Sequence, residues 1–299
     1  MNVTDFQKTL NRLAGTTGLD AQGAANVWAG TTGLDLLGAL NAKAGTTGLE
    51  LNGVCRRLAT TYAGSPELDY NESLDTATSS SFNPITGVGW TAAYWAEGSE
   101  FVALGTAADA AVAAIPDEKA SFDLAQGTGS AQPLYRTTAG PNSTPAWDAV
   151  SADIILKAST PAIAQPFSMV AVAKSDLASG DRVLVCGDSS IGQIYETGDQ
   201  WSIYAGSAEV KAGTTDTSAH LFVGFFSGAS SKLDIDGTQV ISGNPGTTGL
   251  AGFHIFGGAS GSWDGKCSFA ACASGDIRND AGWAGFKTWV TSHYGITIP

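Results

Sequence analysis

Between residues 166 and 274 the chain is a succession of short apolar segments closed by Gly, Asp or Ser turns, and this rhythm restricts the fold more than any other feature. The segments are PFSMVAVAK (166–174), RVLVCG (182–187), QWSIYAG (200–206), HLFVGFFSG (220–228), KLDIDG (232–237), TQVIS (238–242), GFHIFGG (252–258) and GKCSFAACAS (265–274). Short, strand-forming stretches joined by turns predict a β-sandwich or barrel. In KLDI-DG-TQVI, Asp236-Gly237 is the dipeptide that a two-residue type I′ hairpin needs, because both central residues take positive φ. The end of the chain, NDAGWAGFKTWVTSHYGITIP, predicts one helix packed on the sheet. Its expected N-cap is Asn279/Asp280, its apolar face is Trp283, Phe286 and Val290, and Gly295 is its stop.

A different pattern occupies the first 62 residues. AGTTGL recurs at Ala14 to Leu19, Ala29 to Leu34 and Ala44 to Leu49, a period of 15 residues. Each copy holds a capping box, Thr17 to Asp20, Thr32 to Asp35 and Thr47 to Glu50, so each predicts a helix start, and Gly30 and Gly45 predict stops. Apolar positions repeat at i, i+4, i+7, interrupted by Lys43 in the third helix, and give each helix one adhesive face. The positions expected to carry assembly are Leu10, Leu13, Leu19, Trp28, Leu34, Leu40, Leu49 and Leu58. Helices this short are marginal alone, so the stripe calls for burial against neighbouring repeats, other protomers or another protein. The alternative is one continuous helix with a right-handed supercoil, against which two glycines bracketing two threonines in every repeat argue. Residues 63–82 are Ser/Thr-rich and polar, and read as a linker. The expected organisation is therefore 1–62 helical repeats, 63–82 linker and 83–299 a β-domain.

The bulk numbers exclude several functions. With 15 Lys plus Arg, a net charge of −13 and no basic run, the chain is poorly suited to phosphate backbones or anionic membranes. No stretch approaches the roughly 20 apolar residues of a membrane span, and MNVTDFQKTLNRLAG has neither a basic nor an apolar leader region, so neither insertion nor classical export is expected. A chain 43% hydrophobic and only 14% charged can bury a core. The cysteines, Cys55, Cys186, Cys267 and Cys272, form no CxxC pair and are expected as buried free thiols, with Cys267 and Cys272 on opposite faces of a strand.

The β-domain resembles the concanavalin A-like, laminin-G-type jelly rolls of phage and bacterial surface proteins. The resemblance rests on QPLYR (132–136), AWDAVSADIILKAST (146–160), LDIDGTQV (233–240), SWDGKCSFAAC (262–272) and SHYGI (292–296). It implies an early strand, a mid-domain strand, the hairpin, a late strand and the closing helix. The AGTTGL repeat resembles N-terminal segments of tail-associated minor virion proteins of phages that infect actinobacteria. The implied fold class is mainly β, a jelly-roll sandwich with a C-terminal helix, preceded by a small all-α repeat segment.

Catalytic signatures are sparse. Glycosidases of this fold use ExDxxE on one strand, which places alternate carboxylates in one groove, and the chain lacks it; Asp234/Asp236 and Glu196/Asp199 are the nearest acidic pairs. His220, His254 and His293 lack metal-motif company, and GDSSIG (187–192) reads as a turn rather than a nucleophile elbow. The expectation is a chain that is no enzyme. The resemblance implies calcium as a candidate ion, with Asp188, Asp234 and Asp236 as candidate ligands and Asp264 also near a strand end. Sugar binding draws on exposed aromatic rings beside acceptors, for which Trp201, Tyr204, Trp263 and Asp264 are the candidates. The expected function is a virion protein, a minor tail or fibre-type adhesin. It joins other virion proteins through residues 1–62, forms a homo-oligomer (a trimer for preference) and contacts a host-surface glycan. A purely architectural capsid or tail decoration protein that binds no sugar is the alternative, and a glycan hydrolase on the same fold, disfavoured by the missing carboxylate motif, is the third reading.

Overall fold

The computed structural model describes residues 82–119, 122–149, 156–258 and 261–299. The chain divides into two units, Met1–Phe82 and Asn83–Pro299, and the fold below is that of the second. The AGTTGL helices, the assembly positions from Leu10 to Leu58 and the linker up to residue 81 lie outside the described residues.

In chain order the strands are β1 (Ala92–Trp95), β2 (Ala114–Ile115), β3 (Leu124–Ala125), β4 (Leu134–Arg136), β5 (Ala146–Ala149), β6 (Leu156–Ile163), β7 (Phe167–Ser175), β8 (Arg182–Cys186) and β9 (Gln193–Thr197). They continue with β10 (Gln200–Tyr204), β11 (Val210–Ala212), β12 (Ala219–Phe226), β13 (Ser231–Ile235), β14 (Thr238–Gly243), β15 (Leu250–Ile255), β16 (Gly257–Gly258), β17 (Gly261–Ser262) and β18 (Gly265–Ser274). The helices are α1 (Ser99–Ala103) and α2 (Trp283–Tyr294). One sheet runs β14-β13-β12-β7-β18-β5-β4, with β1 also paired to β18; the other runs β11-β10-β9-β8-β15-β6-β3-β2. Among the described residues, pairing between these strands is antiparallel except for β17 with β8, through Ser262 and Val183. The result is a two-sheet antiparallel jelly-roll sandwich with one closing helix, in agreement with the expected fold class.

The core lies between the sheets. Alternation along β7 sends Phe167, Met169, Ala171 and Ala173 inward, where they join Phe222 and Phe226 of β12. The other sheet contributes Leu184, Ile194, Trp201, Ile203, Phe253 and Ile255 to the same cluster. Each large apolar side chain buried this way contributes about 1.5–3 kcal/mol relative to exposure.

A register shift in β18 corrects the expectation for the cysteines. Pairing with β7 slips between Cys267 and Phe269, leaving Ser268 as an extra residue. An inserted residue inverts the alternation beyond it. Cys267, Ala270 and Cys272 therefore all belong to the core cluster instead of opposing faces. Phe269 turns to the outer face, where its ring meets Phe286 at 5.3 Å and Trp289 at 6.0 Å on α2. The bulge thus both seats the thiols and docks the helix. Cys186, Cys267 and Cys272 are buried and free, as expected.

The start of α2 also differs from expectation. Asp276 caps a 3-10 turn at Ile277–Asn279, while Asp280 accepts from the Gly282 N–H at 2.7 Å, and the helix begins only at Trp283. Gly282 is required there because a Cβ would sit 1.6 Å from the Gly87 carbonyl oxygen of the crossing chain. The stop at Gly295 (φ 69°) and the type I′ turn at Asp236 (φ 51°) and Gly237 (φ 79°) are as expected. AWDAVSADIILKAST is not one strand. It supplies β5 to one sheet and β6 to the other. Among the described residues no helix is long and apolar enough to cross a membrane.

Candidate functional site

The two sheets differ in what lies on their outer faces. α2 covers the outer face around Phe269, whereas α1 adds Phe101 to the core beside Tyr135 and Trp147. Neither lies on β8, β9 and β10. Because Ile194, Trp201 and Ile203 point inward, Tyr195 and Tyr204 point outward, and there they pack with Val183 and Cys186. Tyr204 is half-buried, leaving part of its ring to solvent. The Tyr195 hydroxyl donates to Glu209 Oε1 at 2.8 Å, and Lys211 Nζ lies 3.5 Å from Glu209 Oε2. Burial and then the Glu209 bond hold the Tyr195 phenol far above its ordinary range, so it stays a donor. Tyr195 itself is buried beneath this surface, which therefore offers the partly exposed Tyr204 ring, a carboxylate and an ammonium, the chemistry that stacks on sugar C–H groups and binds hydroxyls.

On this same sheet, His254 Nε2 donates to Asp188 Oδ1 at 2.8 Å. Its other nitrogen, Nδ1, faces Cys186 Sγ at 3.8 Å. Burial lowers the His254 pKa, Asp188 opposes that shift, and the net direction is downward.

Other sequence candidates are dispersed. Trp201 and Trp263 are not available for stacking on a ligand: they are 3% and 0% exposed, and their rings stack on each other at 6.4 Å in the core. The inward register of β10 and the hydrogen bond from Trp263 Nε1 to the Lys174 carbonyl place them there. Asp264 is partly exposed next to Trp263, and its carbonyl accepts from Asp176. The candidate calcium ligands do not share a ligand position. Asp188 pairs with His254, Asp234 with Arg278 at 2.7 Å, and Asp236 with His220 at 2.6 Å. Among the described residues no group of three or more His, Cys, Asp or Glu side chains is arranged to hold a metal ion.

Two charge arrangements escaped sequence reading because strand pairing and turns, rather than a local motif, bring their members together. Arg182 and Glu196 form an ion pair inside the sandwich, with Glu196 0% exposed and Arg182 Nε 3.0 Å from Glu196 Oε2. Burial pushes the Glu196 carboxyl up, and Arg182 opposes it. His220 is the second. Nδ1 meets Asp236 at 2.6 Å and Nε2 meets Asp216 at 3.0 Å, so both nitrogens donate only when the ring is cationic.

Burial pulls the His220 pKa down, but Asp236 and Asp216 outweigh it and the net shift is upward. A raised folded pKa contributes stability that is complete below the unfolded value near 6.5 and is lost as pH rises through the folded value. Thermal midpoints of the wild type should therefore fall across that window above pH 6.5, and His220→Gln should remove that part of the slope. An unchanged slope in the variant would contradict the assignment.

No family model matches the chain, and no curated protein matches it. Similar solved structures are found at low identity. A sialidase of Trypanosoma rangeli has 12% identity over 71% of this chain and 34% of its own, with a TM-score of 0.41. A mutant of that sialidase displaying trans-sialidase activity has 13% identity over 78% of this chain and 40% of its own, with a TM-score of 0.45. Domain 4 of a Geobacillus stearothermophilus arabinanase, in complex with arabinotriose, has 12% identity over 51% of this chain and 78% of its own, TM-score 0.34. Mouse laminin α1 domains LG4-5 have 13% identity over 45% and 42%, TM-score 0.31. The chain spans about a third of the length of the first sialidase. These likenesses are of fold. Enzymes stand among them, so the expectation that the chain is no enzyme is corrected and dropped.

Proposed function

We propose that the chain is a bacteriophage virion protein of the minor tail or fibre type. In this reading residues 1–62 join it to other virion proteins, and the outer face of β8–β10 contacts a host-surface glycan. The observation that carries the glycan contact is the placement of Tyr195, Tyr204, Glu209 and Lys211 on a face that neither described helix covers. The virion setting rests on the AGTTGL repeat, whose apolar stripes call for burial against partners, a trimer of this chain among them.

Two experiments test this reading. Deleting residues 1–62 should leave a protein that no longer joins particles, and normal incorporation of the truncated protein would sink the anchoring role. The full chain on an array of bacterial envelope polysaccharides should retain a subset of them. Following released sugar in the same incubations decides between contact and cleavage. Retention of nothing, with particle assembly intact, would favour a purely architectural protein.

A further inference from the structure

Cys186, His254 and Asp188 form a chemically ordered row that glycan contact does not use. Asp188 is a carboxylate and only accepts, so the proton it receives at 2.8 Å belongs to Nε2 of His254. Nδ1 is then left with its lone pair, and that lone pair faces Cys186 Sγ at 3.8 Å. The thiol itself donates to the Gly257 carbonyl at 3.1 Å. A soft sulfur, an imidazole lone pair and a carbonyl oxygen thus converge, with a carboxylate behind the imidazole.

We propose that Cys186 Sγ and His254 Nδ1 are the two side-chain ligands of a zinc site, with the Gly257 carbonyl as third donor and Asp188 orienting the ring. With Zn–S about 2.3 Å and Zn–N about 2.0–2.1 Å, a zinc ion with angles between tetrahedral and trigonal holds its sulfur and nitrogen ligands about 3.5–3.8 Å apart. The observed 3.8 Å lies at the wide end of that range, so the two ligands draw together by a few tenths of an ångström at most. The Gly257 oxygen moves outward by about half an ångström to reach a similar spacing from sulfur. The metal replaces the thiol proton, which leaves to solvent, and the fourth position goes to water or an outside ligand. A carboxylate hydrogen-bonded to the far nitrogen of a ligating histidine is the usual outer partner of such sites.

The backbone around the row supports a built arrangement. Ser189 (φ 56°) follows Asp188, and Phe256 (φ 72°), fully buried, precedes Gly257. Both take left-handed conformations that side chains other than glycine seldom adopt, and such strain persists where the surroundings over-determine it. A Cβ on Gly252 would sit 3.0 Å from the Asp188 carboxyl, so the absence of a side chain there makes room for the carboxylate.

The test is titration of the reduced full chain with Co2+ as the spectroscopic probe, followed by competition with Zn2+. One equivalent should produce a sulfur-to-metal charge-transfer band and visible ligand-field bands, both bleached by Zn2+. Cys55→Ser should keep the bands, Cys186→Ala should lose them, and Asp188→Asn should weaken binding about 10–100-fold. Should Cys186→Ala misfold, His254→Gln carries the test, with Zn2+ raising the thermal midpoint of the wild type but not of this variant. No bands in the wild type, or bands that persist in folded Cys186→Ala, would overturn the proposal.

Discussion

Replacing Arg182 with Met should destabilise the sandwich by about 3–5 kcal/mol, among the largest effects open to a single substitution in this chain. The cause is not the lost attraction alone. Glu196 is 0% exposed, and burial already pushes its carboxyl up; Arg182 is the opposing cation. Without Arg182, Glu196 either stays charged without a partner in the core or takes up a proton, and both cost free energy near neutral pH. The sign with pH follows. Removing the cation raises the folded pKa of Glu196 further, so the variant's deficit should be smallest at acid pH, where the carboxyl is protonated, and should grow as pH rises. Arg182→Met combined with Glu196→Leu removes both charges and should recover most of the loss. Denaturant unfolding of the three variants at two pH values measures this. A double variant as unstable as the single one would show that the pair's geometry, rather than the stranded charge, holds this region.

Trp263→Ala and Tyr204→Ala should separate stability from recognition. Trp263 is fully buried, stacks on Trp201 and donates its indole N–H to the Lys174 carbonyl, so its truncation should cost about 3–5 kcal/mol. Tyr204 is half-buried on the outer face and closes the small cluster of Val183, Cys186 and Tyr195. Its truncation should cost about 1 kcal/mol of stability, the ordinary size for a point substitution, and about tenfold or more in glycan affinity. Unfolding midpoints paired with affinity measurements on each variant check both halves. A Trp263→Ala protein of unchanged stability would contradict the core placement.

The parts of the fold that were legible in the sequence are those governed by local rules. All eight segments between residues 166 and 274 contain strands, since β-branched and aromatic runs with turn residues between them need no distant information. Asp236-Gly237 and Gly295 were legible because positive φ at fixed positions selects residue types directly. What stayed hidden depends on partners far away in the chain. β9 (QIYET) carries a charged Glu that reads as surface, yet Glu196 faces inward because Arg182, on the neighbouring strand, pairs with it. The bulge at Ser268 has no sequence mark, and it alone puts Cys267 and Cys272 on one face.

The candidate site was legible only in part. Of the aromatic candidates, Tyr204 lies on the open face, whereas Trp201 and Trp263 lie in the core. Composition identifies rings able to stack on a ligand, but which side of a strand they occupy is set by register against neighbours. Tyr195, Glu209 and Lys211 were missed because β9 was not recognised as a strand and the Tyr195–Glu209 bond crosses 14 residues. Cys186 and His254 meet across 68 residues, a separation at which neither residue type carries a motif.

The central claim is that glycan contact belongs to the outer face of β8–β10. Its most direct test is the affinity of the full chain for the polysaccharide it retains on the array, compared with Tyr204→Ala and with Tyr195→Phe, which deletes only the hydroxyl bonded to Glu209. The account predicts a loss of about tenfold or more for Tyr204→Ala and a smaller loss for Tyr195→Phe, with both proteins folded. Unchanged affinity in both variants, with the wild type bound, would contradict it.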